Sequence, residues 1–108
     1  MTLKDLHKCE SLNVDVTQED IDHGSVESLS SCAIALAINR TLEAIPDTTI
    51  VGSTCISVRV PNNEKPLSWR DYSFIRFSHT PESLEFIRNF DEEQEVKPIS
   101  IKFWRTWS

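Results

Sequence analysis

The chain is poor in glycine, and this scarcity excludes one large class of nucleotide enzymes. Its only two glycines, Gly24 and Gly52, lie 28 positions apart among 108 residues. A loop that cradles phosphates needs several glycines close together, because only a residue without a Cβ lets the backbone approach the phosphates. The sequence therefore indicates no nucleotide-hydrolysing site.

Long apolar runs are also missing. The longest, residues 32–38, is far below the roughly 20 residues that a helix needs to cross a bilayer, and residues 1–5 lack the apolar stretch of a signal peptide. We therefore expect no membrane association and a cytoplasmic location. In a reducing compartment an odd number of widely spaced cysteines favours free thiols over a disulfide framework, at Cys9, Cys32 and Cys55.

Positive charge is scarce as well, since 11 Lys and Arg stand against 17 Asp and Glu, a net charge of −6. The acids concentrate in residues 1–28 and 80–96, whereas residues 97–108 contain three basic residues and no acid. Such a field repels nucleic acid and anionic membranes unless a local patch overrides it, so a protein or a basic surface is the expected partner. Acids that only keep a small protein soluble are the simpler explanation of the same pattern.

Hydrophobic periodicity predicts a single α+β domain over residues 1–108, with residues 1–11 and 104–108 as flexible or interface tails. An almost wholly apolar helix is expected from residue 31 towards residue 45, buried on all sides. A second helix begins at Thr80-Pro81-Glu82, where an N-cap hydroxyl, a proline at the first helical position and a carboxylate coincide. Alternating apolar residues indicate strands at residues 12–16, 50–60, 72–77 and 99–103.

The order strand, helix, strand, strand, helix, strand is that of βαββαβ ferredoxin-like domains. Two helices would then cover one face of a four-stranded antiparallel sheet. Thr17 and Asp20 have the spacing of a capping box, which adds a helical turn over residues 18–22 that ends at His23-Gly24.

Three segments carry a resemblance to a known class of proteins: residues 16–24 (VTQEDIDHG), residues 31–37 (SCAIALA), and residues 86–91 (FIRNFD) followed by 96–99 (VKPI). They resemble small uncharacterised bacteriophage and prophage proteins with the layout V-T-x-E-x-I-x-x-G, C-x-I/V-A-L-A and F-I-x-x-F-D … V-x-P. The similarity spans about residues 12–103, and the tryptophan-rich end departs from it. The resemblance implies a phage-encoded accessory protein in the host cytoplasm, with no catalytic residue or cofactor to transfer.

Cys32 is the main candidate for chemistry, because a helix N-terminus lowers the pKa of a thiol and His23 could act as its base. Its alanine-rich apolar neighbours favour an inert buried cysteine instead. Side chains of the types that bind zinc are present at His7, Cys9, His23 and Cys32. The sequence lacks the C-x2-C or H-x3-H spacing that structural zinc sites normally show. We therefore expect no enzyme, no cofactor and no metal.

An aromatic strand supports one alternative function, which is nucleic-acid binding. Tyr72, Phe74 and Phe77 lie with Arg76 on the third predicted strand, and sheets can bind RNA by stacking bases on such rings. An RNP1-type sequence is absent and the overall charge is acidic, so nucleic acid is not the expected partner.

Protein binding is the leading prediction. Tryptophan and arginine are the residues most enriched at binding hot spots, and they combine at Trp104, Arg105 and Trp107, on a segment that would extend an edge strand. A second candidate surface is acidic, at Asp91, Glu92 and Glu93. The expected partner is a host or defence protein, or a second copy of the chain in a homodimer. With a host or defence protein, the chain would act as an inhibitor or by imitating nucleic acid.

Overall fold

The structure is a computed structural model that describes residues 2–106. Trp107 lies outside the described residues. In this part of the chain the helices are a 3-10 helix at Leu3–Lys8, α1 (Gln18–His23), α2 (Ala33–Thr41), a 3-10 turn at Trp69–Asp71 and α3 (Pro81–Asp91). The strands are β1 (Ser11–Val16), β2 (Thr49–Val51), β3 (Cys55–Pro61), β4 (Tyr72–Ser78) and β5 (Ile99–Arg105).

All five strands join in one antiparallel sheet with the order β1-β5-β4-β3-β2. The α+β prediction is confirmed, but the ferredoxin-like arrangement is not. In that arrangement the first strand lies between the third and the last, whereas here β5 separates β1 from β4. The reason is that α3 connects β4 to its immediate neighbour β5 and therefore crosses over no other strand.

The strand predicted over residues 50–60 is two strands. β2 and β3 pair antiparallel, with Thr49 opposite Val58 and Val51 opposite Ile56. The chain reverses at Gly52, whose backbone N–H donates to the carbonyl of Cys55 over 3.0 Å. A Gly-Ser-Thr sequence is typical of turns and interrupts the apolar run here. The sheet therefore has five strands where four are predicted.

Helix α2 lies at the centre of the molecule and contacts both edge strands, β1 and β2, so the sheet curls around it. Its apolar residues are buried as expected except Leu36, which is half-buried, and the helix is shorter than predicted and begins after Cys32. Two polar residues fasten it to the two edges. Asn39 accepts a hydrogen bond from the Thr49 hydroxyl on β2 (2.7 Å), and Arg40 donates to the Asp15 carbonyl on β1 (2.8 Å).

Residues 3–8, predicted as part of a tail, form a packed 3-10 helix. Leu6 is buried in the core. The guanidinium of Arg105 donates to the carbonyl of His7 over 3.0 Å and so ties β5 to this helix. Residues 104 and 105, also placed in a tail, belong to β5 itself.

Helices α2 and α3 both end in a left-handed residue that is a glutamate instead of the glycine usually found there. Glu43 has φ 54° and Glu93 has φ 58°. After α3 the backbone N–H of Glu93 donates to Phe90 and that of Gln94 donates to Asn89, which is the hydrogen-bond pattern of a Schellman motif. Both glutamates hold a conformation that side chains with a Cβ disfavour.

Replacing Glu93 by glycine is expected to stabilise the protein by about 0.5–1 kcal/mol, because glycine adopts this conformation without steric cost. Urea denaturation followed by circular dichroism would measure the gain. Glu92 is the matched control, since its φ of −84° is ordinary and glycine there should stabilise nothing. A Glu93→Gly variant no more stable than Glu92→Gly would contradict the left-handed ending of α3.

Candidate interaction face

The alternation of the strands divides the sheet into a buried inner face and an exposed outer face. In β3 the buried residues are Ile56, Val58 and Val60, and their neighbours in sequence are only half-buried. The inner side chains form one core with residues of α2 and α3. The helices therefore cover the inner face, and the outer face is left to solvent.

The middle of the outer face combines aromatic and basic side chains. Cross-strand pairing sets Arg59 beside Phe74 and places Trp104 beside Ser78. Arg76 lies between these pairs on β4 and faces the same way. We call this surface the basic–aromatic face; its members are Arg59, Tyr72, Phe74, Arg76, Lys102 and Trp104.

Among the described residues, the basic side chains on this face make no ion pair, and the acid nearest to them in the sheet is Asp15, diagonally across from Lys102. The ion pairs between described side chains are Lys4–Glu64 (3.2 Å) and Arg40–Asp20 (2.6 Å), and neither involves the face. Within residues 2–106, Asp15 is the sole acid among the outward-facing strand residues, and its Oδ1 accepts a hydrogen bond from Ser100. A chain of net charge −6 thus carries a local basic surface.

Two of the three aromatic rings on the face already have a cation beside them. The Arg59 guanidinium lies 5.0 Å from the centre of the Tyr72 ring, and the Lys102 ammonium lies 4.8 Å from that of Trp104. Such contacts hold both partners in place at an energy of about 0.5–1 kcal/mol each at exposed sites. Phe74 has no cation of this kind among the described residues, and its side chain is 51% exposed.

An adjoining loop adds two exposed apolar residues that the sequence analysis missed. Leu67 is 93% exposed and Trp69 is 79% exposed, and both lie just before β4 at the end of the β3–β4 hairpin. Asp71 holds this turn by accepting hydrogen bonds from the backbone N–H groups of Leu67 and Ser68, which lower the pKa of its carboxyl. The available signal was two large apolar residues inside an otherwise polar loop.

The predicted tryptophan and arginine residues separate in the structure. Trp104 is 55% exposed on the basic–aromatic face. Arg105 follows it in β5 and therefore points to the other side, where it bonds the N-terminal 3-10 helix. Of the two described residues, Trp104 is thus the one that lies on this face.

The predicted acidic residues lie at the end of α3, on the helical side of the molecule. Asp91 accepts a hydrogen bond from the backbone N–H of Glu27 over 2.8 Å, while Glu92 and Glu93 form the end of the helix. The core residues of α3 pack against the inner face of the sheet. The structure therefore does not bring these acids together with Trp104.

The aromatic residues proposed for base stacking also divide between the two faces. Tyr72, Phe74 and Arg76 lie on the outer face, but Phe77 points inward and is fully buried. The period of two along β4 explains the difference, because residues an odd number of positions apart face opposite ways. Phe77 can therefore stack on no ligand.

Cys32 is a buried residue at the N-cap of α2. Burial raises the pKa of its thiol above the ordinary value, outweighing the backbone N–H groups at the start of the helix, which lower it. A thiol without a stabilised thiolate is a poor nucleophile. Elsewhere in residues 2–106, no three His, Cys, Asp or Glu side chains converge on a possible metal position.

Alkylation kinetics would test this state of Cys32. We expect iodoacetamide at pH 8 to modify the half-buried Cys9 and Cys55 at least tenfold faster than Cys32, because the thiolate is the reacting form and Cys32 is shielded from reagent. Peptide mass spectrometry would give the three rates. In urea the rates should become similar, and a fast-reacting Cys32 in the folded protein would contradict its burial.

An open groove lies between α3 and residues 95–99, with a volume of about 320 Å³. Phe86, Val96 and Ile99 contribute apolar surface, and Glu82 and Glu85 line it from the helix. No Cys, His, Ser or Thr lines it, so it offers no paired nucleophile and base. In the described part of the chain no helix is long and apolar enough to span a bilayer.

Comparison with known proteins found no match, since no family model, curated protein or solved structure is significantly similar to the chain. The resemblance to bacteriophage proteins therefore stays a prediction.

Proposed function

We propose that this chain is a non-enzymatic binding module that docks an acidic protein through its basic–aromatic face. The observation that carries the proposal is the segregation of charge. Arg59, Arg76 and Lys102 all lie on the outer face, and none of them makes an ion pair with a described residue, in a protein whose net charge is −6. A local positive surface of this kind selects and orients a negative partner.

The composition of the face supports a protein partner. Tyrosine, tryptophan and arginine are the residues in which interface binding energy concentrates, and Tyr72, Arg76 and Trp104 supply all three. Leu67 and Trp69 add exposed apolar surface in the loop that leads into β4 at Tyr72. Large exposed apolar side chains rimmed by polar ones are typical of interaction sites.

Nucleic acid is less well supported by the same face. The cations beside Tyr72 and Trp104 compete with bases for those two rings. Of the three rings on the face, only Phe74 has no such cation among the described residues. In the context that the sequence resemblance implies, the partner is an acidic host protein bound by a phage accessory protein.

Pull-down from nuclease-treated bacterial lysate would test the proposal with matched charge reversals. The face variant is Arg76→Glu with Lys102→Glu, and the control variant is Glu92→Lys with Glu93→Lys on the helical side. We expect the wild type and the control to capture the same acidic protein and the face variant to lose at least nine-tenths of it. Mass spectrometry would identify the captured protein, and circular dichroism would confirm that the variants fold.

Two results would contradict the proposal. Loss of the partner in the helical-side variant alone would move the binding site to the acids at the end of α3. Tight binding of a 20-nucleotide single strand at physiological salt, abolished by Arg76→Glu, would make the face a nucleic-acid site instead.

A further inference from the structure

The groove between α3 and residues 95–99 has an apolar floor. Phe86 lines it from the helix, and its ring stacks on that of Phe90 with 6.1 Å between the ring centres, which holds it in place. The other apolar lining residues are Val96, Pro98 and Ile99. With a volume of about 320 Å³, the groove lies at the lower end of the range for sites that bind organic groups.

The charged residues around this floor are mostly acidic. Glu82 and Glu85 line the groove from α3, and Glu95 lines it from the opposite wall, against Lys97 as the one cation in the lining. None of these four residues takes part in an ion pair between described side chains. The lining of the groove thus carries more negative than positive charge.

The stability of α3 accounts for only one of the three acids. Glu82 lies in the first turn of the helix, where a carboxylate interacts favourably with the helix dipole. Glu85 follows three positions later on the same side, and like charges so close on a helix repel each other. Neither Glu85 nor Glu95 makes a side-chain hydrogen bond or ion pair with a described residue. A cation from outside the chain would give both of them a partner.

A second hollow adjoins the groove at Pro98 and Ile99, which line both. Its volume is about 410 Å³, and Asp15 is the one charged residue in its lining. A chain segment bound in the groove can continue past Pro98 into this hollow, where it meets another carboxylate. The two hollows together suit a stretch of several residues better than an isolated side chain.

We propose that the groove binds a basic segment of a partner protein, in which an apolar side chain is flanked by lysine or arginine. The apolar side chain would lie on Phe86 and Val96, and the flanking cations would pair with Glu85 and Glu95. The aliphatic stems of lysine and arginine also pack on apolar surface while their charged ends reach outward. The Asn89 amide lines the groove and can hydrogen-bond the backbone of the segment.

This partner differs in charge from the acidic protein proposed for the basic–aromatic face, so the inference goes beyond the proposed function. The first test titrates the synthetic peptide Lys-Lys-Leu-Lys-Lys into the full chain and follows amide chemical shifts by NMR. We expect the shift changes to cluster in residues 82–99. Replacing the leucine of the peptide by serine should weaken binding at least fivefold, because the apolar floor then has nothing to bury.

Two results of this titration would overturn the proposal. Equal affinities of the leucine and serine peptides would mean that charge alone attracts them. Shift changes spread over all acidic parts of the surface, or none at millimolar peptide, would mean that the groove is not a binding site.

The second test compares two variants that lose the same charge. The groove variant is Glu85→Gln with Glu95→Gln, and the control is Glu92→Gln with Glu93→Gln, whose side chains are exposed but do not line the groove. We expect the groove variant to bind the peptide at least tenfold more weakly than the wild type and the control to stay within threefold. Equal losses would show that binding follows net charge and would overturn the proposal. Circular dichroism would confirm that both variants fold.

A second copy of the chain is the alternative occupant of the groove. The loop before β4 combines the basic Lys65 and Arg70 with the exposed Leu67 and Trp69, and so has the chemistry that the groove would bind. We expect the wild type and the groove variant to sediment identically in analytical ultracentrifugation. Self-association of the wild type that is lost in the groove variant would assign the groove to a second copy and overturn a separate partner.

Discussion

Replacing Phe77 by alanine is expected to lower the free energy of unfolding by about 4 kcal/mol, since truncating a buried phenylalanine removes apolar burial and leaves a cavity. Phe77 is fully buried on the inner face of β4 and belongs to the core shared with α2. Urea denaturation followed by circular dichroism would measure the loss. The free energy of unfolding should fall with urea concentration at the same slope in the variant and the wild type.

Phe74 is the control on the same strand. It lies three residues earlier and faces outward, so Phe74→Ala should change the free energy of unfolding by no more than about 0.5 kcal/mol. Similar losses in the two variants would show that β4 does not divide its aromatic residues between the faces. That outcome would also remove Phe74 from the basic–aromatic face.

Replacing Gly24 by alanine is expected to destabilise the protein by about 3 kcal/mol, the upper end of the usual cost of overpacking. An added Cβ would lie 2.7 Å from the backbone nitrogen of Ala33, 2.9 Å from the carbonyl oxygen of Asp20 and 2.9 Å from Cζ of Phe90. These atoms belong to α2, α1 and α3 in turn. Two of them are backbone atoms, so the clash is relieved only if helices move apart.

Gly52→Ala provides the comparison, because its added Cβ meets one atom, the carbonyl oxygen of Cys55, at 3.2 Å. We expect a loss below about 1 kcal/mol there, from a small local adjustment of the turn. Thermal unfolding of both variants would rank them. Equal losses at the two glycines would mean that the three helices do not meet closely at Gly24.

Local signals predicted several elements well. The capping box of Thr17 and Asp20 forms as expected, and α3 begins at Pro81 after the N-cap Thr80. Strand alternation correctly gave the buried residues of β1. These features depend on residues within a few positions of one another, where side chain and backbone chemistry decide the outcome.

The strand order could not be predicted in the same way. Whether β5 lies beside β1 alone or between β1 and β4 depends on how α3 packs, and nothing within β5 itself encodes it. The split of residues 50–60 was more accessible, since Gly52 interrupts the apolar run. The regular alternation of β3 is the stronger signal and conceals the turn before it.

The candidate site was predicted only in part for a similar reason. Trp104 was identified from its residue type, but its separation from Arg105 follows from the faces of β5. The basic character of the outer face depends on three neighbouring strands that present Arg59, Arg76 and Lys102 on the same side, although these residues are far apart in sequence. The local composition of the chain does not reveal such a surface, because each segment contributes only one of its basic residues.

The pairing of β1 with β5 bears on how the protein is made. Ser11 lies opposite Trp104, 93 positions later, and Val16 lies opposite Ile99, 83 positions later. During synthesis on the ribosome, β1 therefore cannot pair with β5 until all of the chain between them has been made. Pairings of such long range are slow to form. Until β5 is synthesised, the backbone N–H and C=O groups of β1 that pair with it lack their strand partner.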